Sequence, residues 1–329
     1  MRKLKIRKPL NLIILFFICL HLVSCEHESA SPVDQPNMEK AEKVKPPVRT
    51  FAIIYPMTDP FFESITKNAL ETAKLLNVNI IVKAPDEAYL EQQIRMMETL
   101  IKQQINGIAI DPVDAEALTP YINKAVKAGI KVVCFDSDAP QSQRLSYIGT
   151  DNLTAGRHMG KVIAKLLDGR GMVIVGSGLE SMLNLNQRLF GLVEYLKRYT
   201  DIQLLEVLSN KGDASKALTN LEEMIDAHPH FDAFIGMDSL SGPAAILVWK
   251  AMGLSKKAIT FDAMPDILEG IRNGQITTAI SQREYLWGKL IVTRLNEACD
   301  GKEIPLFDNT GTEEISLNNV NSYESIVTN

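Results

Sequence analysis

From residue 50 onward, runs of four or five apolar residues alternate with longer stretches in which apolar positions recur every three or four places. The short runs fit strands buried on both faces, and the longer ones fit helices with one apolar side. Strands are expected at 51–55, 79–82, 107–110, 131–135 and 145–148, with helices at 60–76, 89–104 and 115–128. In the second of these helices Leu90, Ile94, Met97 and Ile101 share one face, and Gly129 closes the third. The unit repeats about every 28 residues, as in βαβ crossovers of a parallel sheet. A helix over 154–167 then leads into a second series. Its strands are expected at 172–175, 203–207, 233–235, 258–261 and 278–280, and its helices at 187–199, 215–227, 242–252, 265–273 and 285–299. The pattern predicts an α/β protein made of two doubly wound parallel-sheet lobes, whose ligands bind beyond the carboxyl ends of the strands.

Polar residues gather at those ends. The run Val132-Val133-Cys134-Phe135 leads straight into Asp136-Ser137-Asp138, with Pro140 closing the segment. Other strand ends carry Asp59-Pro60-Phe61-Phe62, Asp111-Pro112-Val113-Asp114, Met237-Asp238, Asp262 and Gln282. Carboxylates are rarely buried without a partner, so repetition of this arrangement implies one pocket shared between the lobes.

The amino-terminal segment differs in kind. Arg2, Lys3, Lys5, Arg7 and Lys8 precede an apolar run from Leu10 to Val23, shorter than the ~20 residues a spanning helix needs. Residues 1–24 read as a signal peptide. Without its five basic residues and with no acids lost, the formal charge moves from −5 to −10. No basic cluster follows, which argues against nucleic acid as a partner. Leu22-Val23-Ser24-Cys25 resembles the lipobox of bacterial lipoproteins, which implies lipidation at Cys25. Residues 25–49 are rich in Glu, Ser, Pro and Lys and read as a flexible tether spanning roughly 25–30 Å. The mature chain is therefore expected outside the cytoplasm, held to a lipid bilayer through its acylated cysteine. Of the other cysteines, Cys134 and Cys299 remain in the mature body, and nothing in their spacing sets whether they pair.

Taken in order, several segments carry a resemblance. They are Asp59-Pro60-Phe61-Phe62, Asp111-Pro112-Val113-Asp114, Phe135-Asp136-Ser137-Asp138, Tyr147-Ile148-Gly149-Thr150-Asp151-Asn152, Arg188-Leu189-Phe190-Gly191 and Phe261-Asp262. The chain resembles periplasmic sugar-binding proteins of the ribose/galactose type, related to the ligand-binding core of the lac-repressor family. The resemblance implies a type I periplasmic binding protein fold with a three-stranded hinge near Thr150, Gln282 and the last residues. The lobes would comprise residues 50–150 with 283–311, and 151–282 with 312–329. It implies no catalysis, cofactor or metal, and a monomer that closes over a monosaccharide or similar polyol and docks on a membrane permease or a sensor receptor. Carried over residue by residue, Phe61 and Phe62 would lie against the sugar ring. Asp59, Asp111 and Asp136 would accept from hydroxyls, Arg188 would donate, Asp262 and Gln282 would close the site, and Met237 would be among the ligand-binding positions. Met237 stands where many relatives carry asparagine, and Ser137 where ribose binders carry arginine.

Two other readings are open on sequence. The same fold serves as a ligand sensor feeding a signalling receptor. Separately, Asp136-Ser137-Asp138 resembles the D-x-D of metal-dependent hydrolases, although a phosphatase places that motif on its first strand and here it ends the fourth. The chain has no G-x-S-x-G, G-x-x-x-x-G-K-[ST] or H-E-x-x-H.

Overall fold

The computed structural model describes residues 48–328. The segment expected to be a signal peptide, Cys25, and all but the end of the expected tether lie outside the described residues. Arg49, placed in the tether on sequence, is fixed to the body. Its guanidinium pairs with Asp300 at 2.7 Å and donates to Asn296 Oδ1 at 2.6 Å.

The first series runs β1 (Thr50–Ile54), α1 (Glu63–Leu76), β2 (Asn79–Lys83), α2 (Leu90–Lys102), β3 (Gly107–Ile110), α3 (Ala115–Lys127), β4 (Lys131–Phe135) and β5 (Ser146–Gly149). The second runs α4 (Asn152–Leu166), β6 (Arg170–Ser177), α5 (Leu183–Tyr199), β7 (Asp201–Ser209), α6 (Ala214–Ala227), β8 (Ala233–Gly236), α7 (Ser241–Met252), β9 (Lys257–Phe261), α8 (Pro265–Arg272) and β10 (Thr278–Ser281). The chain ends with α9 (Trp287–Cys299), β11 (Phe307–Asn309), β12 (Glu313–Ile315) and α10 (Val320–Thr328).

Local chemistry sets these bounds. β3, β5, β8 and β10 are buried at every position, as strands covered by helices on both faces must be. Asp114, Asp151 and Asp213 each cap a helix by accepting a backbone N–H of its first turn. α1 stops at Asn77, whose φ of 53° is the left-handed conformation asparagine tolerates.

The strands form two six-stranded sheets, ordered β11-β5-β4-β3-β1-β2 and β12-β10-β9-β8-β6-β7. All neighbours are parallel except β10 and β12, which run antiparallel. Each sheet is the doubly wound order 2-1-3-4-5 with one strand added at the edge, and each carries an apolar core on both faces. The added strands are short and polar, Phe307-Asp308-Asn309 and Glu313-Glu314-Ile315, and gave no apolar run to read. The chain passes between sheets from β5 to α4, from β10 to α9 and from β11 to β12.

Candidate functional site

In a doubly wound sheet the order reverses between the strands flanking the first, and the flanking loops splay apart beyond their carboxyl ends. Here the switch points are β1/β3 in one sheet and β6/β8 in the other. Residues beyond β1, β6 and β8, together with the ends of β4, β9 and β10, line a cavity enclosing about 510 Å³ of space, its open mouth included.

One wall is aromatic. Asp59 caps a single turn of 3₁₀ helix, accepting the Phe61 N–H at 2.8 Å, and this turn presents both phenylalanines. Phe62 stacks on Tyr55 with centroids 4.3 Å apart, and Phe61 meets Trp287 edge-on at 6.0 Å. The rings are therefore held by packing before any ligand arrives. Tyr55 itself lies in the core with its hydroxyl on Thr66, and burial pushes its pKa up to about 12.

Opposite charges meet at the ends of β4 and β9. Asp136 and Asp262 each follow the last residue of their strand with positive φ, 55° and 68°. Each donates its backbone N–H across to the neighbouring strand, to Ile148 O and Ile280 O. Left-handed backbone at a non-glycine residue is uncommon and concentrates at functional sites. Here it turns both carboxylates into the cavity. Asp136 accepts from Asn184 Nδ2 at 3.0 Å, and Asp262 from Gln282 Nε2 at 2.8 Å. Burial raises the pKa of both; Arg188 partly offsets the rise at Asp136, whereas Glu284 adds to it at Asp262.

Arg188 is the cation among these side chains and is 1% exposed. Its guanidinium lies 3.5 Å over the Phe261 ring. Nε and Nη2 both donate to Asn152 Oδ1, at 3.2 and 2.7 Å, and Nη1 donates to the Met237 carbonyl at 2.5 Å. Burial lowers its pKa while Asp262 and Asp136 hold it up. Its helix is placed by contact at backbone distance. A Cβ on Gly156 of α4 would sit 1.9 Å from the Arg188 carbonyl, and one on Gly191 of α5 would sit 2.1 Å from Leu153 O.

Asp59, Phe61, Phe62, Asp136, Arg188, Asp262 and Gln282 thus border the cavity. Two residues expected there do not. Asp111 is wholly buried beneath it, because its carboxylate turns under β4 to accept the Ser137 N–H at 3.2 Å. Burial first, then the charge of Asp136, raise its pKa well above the usual range. Met237 packs with the apolar core of α4, α5, β6 and β9, because β8 ends at Gly236 and its next side chain continues the inward alternation. Its carbonyl serves the site by receiving Arg188; its side chain does not.

The neighbour Asp238 lines the cavity instead, held by Asn210 Nδ2 at 2.7 Å and by the Ser241 hydroxyl. Its position in the Ile235-Gly236-Met237-Asp238 strand end was the available signal. Asn184 was missed because α5 begins at Leu183, earlier than the 187 expected. Leu183-Asn184-Leu185-Asn186 carries two asparagines, which are poor helix formers, yet Asn184 and Leu185 are buried toward the cavity. Ser239 had no sequence signal; its hydroxyl donates to Asp59 Oδ2 at 2.7 Å, spanning the two sheets.

Asp138 bonds the Ala139 N–H at 2.7 Å and forms a bidentate pair with Arg144, whose Nη2 lies 2.6 Å from Oδ2. It braces the loop that follows β4. Among the described residues no group of three or more His, Cys, Asp or Glu side chains is placed to hold a metal ion. Cys134 is buried in β4, Cys299 is half-buried at the end of α9, and both are free thiols.

Two doubly wound lobes sharing a polar, aromatic-walled cavity at facing switch points define a two-lobed ligand-binding protein. The chain belongs to the periplasmic binding protein family: the family profile for the periplasmic binding protein domain matches residues 51–303. It is 25% identical over 249 residues to the ribose import binding protein of Bacillus subtilis, covering 75% of this chain and 80% of that one. It is 22% identical over 285 residues to a xylose/arabinose-binding protein of Sulfolobus acidocaldarius, covering 81% and 70%. Among solved structures, a transporter solute-binding protein of Burkholderia graminis in complex with D-arabinose superposes with a TM-score of 0.81 at 31% identity, covering 84% of this chain and 97% of that one.

Proposed function

We propose that this protein is an extracytoplasmic solute-binding lipoprotein that captures a small sugar between its lobes and delivers it to an ABC-type permease. The observation that carries the reading is the cavity itself. Phe61 and Phe62 form an apolar wall suited to the C–H face of a sugar ring, while Asp136, Asp262, Gln282 and Arg188 converge from separate strand and helix ends. Fixed polar groups around a preformed apolar wall are how such sites orient a hydroxylated ligand. Relatives named for ribose, xylose and arabinose support a sugar as the ligand class. The bonds Ser239–Asp59 and Asn184–Asp136 join side chains carried by different sheets, which fits closure about the three crossing segments. Export and acylation at Cys25 belong to the same proposal, and labelling with a fatty-acid analogue in wild type against Cys25→Ala tests them.

A thermal-shift panel of pentoses, hexoses and polyols tests binding. A ligand at ~100 times its Kd adds ~2.7 kcal/mol, a rise of several degrees for a chain this size. A shift that Asp136→Ala and Arg188→Ala abolish supports the reading. A panel in which no sugar or polyol shifts the protein overturns it.

A further inference from the structure

The charges around the cavity narrow the ligand class, and this inference rests on the sugar-binding reading above. Asp59, Asp136, Asp238 and Asp262 border the cavity, and Arg188 is the one cation among the bordering residues. Behind them Asp111 and Glu284 are also buried. Hydrogen-bond capacity is skewed the same way. Three of the five guanidinium N–H groups of Arg188 are already committed, to Asn152 and Met237. Ser239 is committed to Asp59, and one of the two side-chain N–H groups of Asn184 to Asp136. On the acceptor side, Gln282 is 2% exposed and borders the cavity, its Nε2 is fixed on Asp262, and its Oε1 has no partner.

A buried site with surplus carboxylates and an unused carbonyl calls for a ligand that donates more than it accepts. A sugar hydroxyl brings two acceptor lone pairs for each proton, whereas an ammonium brings three donors, no acceptor and a positive charge. Leaving buried carboxylates without a counter-charge is costly, and a charged donor relieves that cost directly. We propose that the cavity takes a sugar or polyol bearing a protonated amine, with the ammonium set among Asp262, Asp136 and Gln282 Oε1. Burial raises the pKa values of Asp136, Asp238 and Asp262, and Arg188 opposes the rise at each.

Matched pairs test it on the purified protein by calorimetry: glucosamine with glucose, galactosamine with galactose, and N-acetylglucosamine as a neutral amide. At pH 7 the amine of at least one pair should bind about tenfold tighter than its neutral partner, the factor that 1.4 kcal/mol confers. Asp262→Asn should shrink that preference, with circular dichroism confirming the fold. If the neutral members bind as well or better, or tighten as pH falls while amines do not, protonation of a carboxyl supplies the balance. The inference then fails and sugar binding stands. If neither the amines nor the neutral sugars bind, the inference fails, and the pentose and polyol panel above decides whether sugar binding stands.

Discussion

Asp111 and Asp136 are two carboxylates whose environment favours fewer than two charges. Asp111 Oδ2 is buried without a partner, and Asp136 lies against it. The folded-state pKa of Asp111 is raised above the ~3.9 of an unfolded aspartate. Its contribution to stability is therefore fully present below pH ~4 and is lost as pH rises through the folded value. Asp111→Asn keeps an acceptor for the Ser137 N–H and offers the Asp136 carboxylate a donor. It should stabilise the ligand-free protein at pH 8 by an amount on the order of 1–3 kcal/mol, the cost of an unsatisfied buried group. That gain should fade as pH approaches 4. Denaturant midpoints across pH check it, and a gain that stays constant with pH would mean the carboxylate is not ionising there.

At the scale of elements, the parts legible in the sequence are those governed by periodicity. Buried parallel strands are continuous apolar runs, so the alternation announced both doubly wound lobes, and the polar residues Asp136, Asp262 and Gln282 were legible because each stands directly after such a strand. What periodicity does not fix is the turn beyond a strand. Whether Met237 or Asp238 faces the cavity depends on where β8 ends, and whether Asp111 faces ligand or protein depends on the path of β4. Asn184 was hidden by a helix start interrupted by two asparagines, and β11 and β12 by being too short and polar to pattern. The packing of α4 on α5 was equally silent, since a glycine in sequence does not say what it touches. Gly156→Ala places a methyl against the Arg188 carbonyl. It should cost at least ~1–3 kcal/mol from overpacking and weaken ligand binding by displacing Arg188. Leu221→Ala, in the core on the other face of the same sheet, should cost ~2–5 kcal/mol while leaving affinity nearly unchanged. Equal losses of affinity in the two variants would show that Gly156 acts only through stability.

Across the whole molecule, two kinds of contact join the lobes, and they should behave differently. Thr310, between β11 and β12, sits where the three crossings meet. Its hydroxyl lies 2.8 Å from Gln282 O and 3.0 Å from Gly149 O, and it accepts the Trp287 indole N–H at 3.0 Å. A group on the rotation axis keeps its neighbours whether the lobes are apart or together, so it bears on stability and not on the balance between those states. Ser239 is the reverse case. It reaches Asp59 across the cavity mouth, a bond that exists only while the lobes are together. A ligand can bias a two-state element only through interactions that differ between the states, and the same holds for a side chain. Thr310→Val, which strands the buried Trp287 N–H, should lower stability by ~1–3 kcal/mol with ligand affinity little altered. Ser239→Ala should leave the melting temperature nearly unchanged, enlarge the radius of gyration of the ligand-free protein in solution scattering, and weaken ligand binding. A hydrogen bond to a carboxylate is worth ~1.5–3 kcal/mol, so the loss of affinity should be about tenfold or more. Should Thr310→Val weaken binding as much as Ser239→Ala, the crossings themselves must change between the two states, and the axis of closure lies elsewhere.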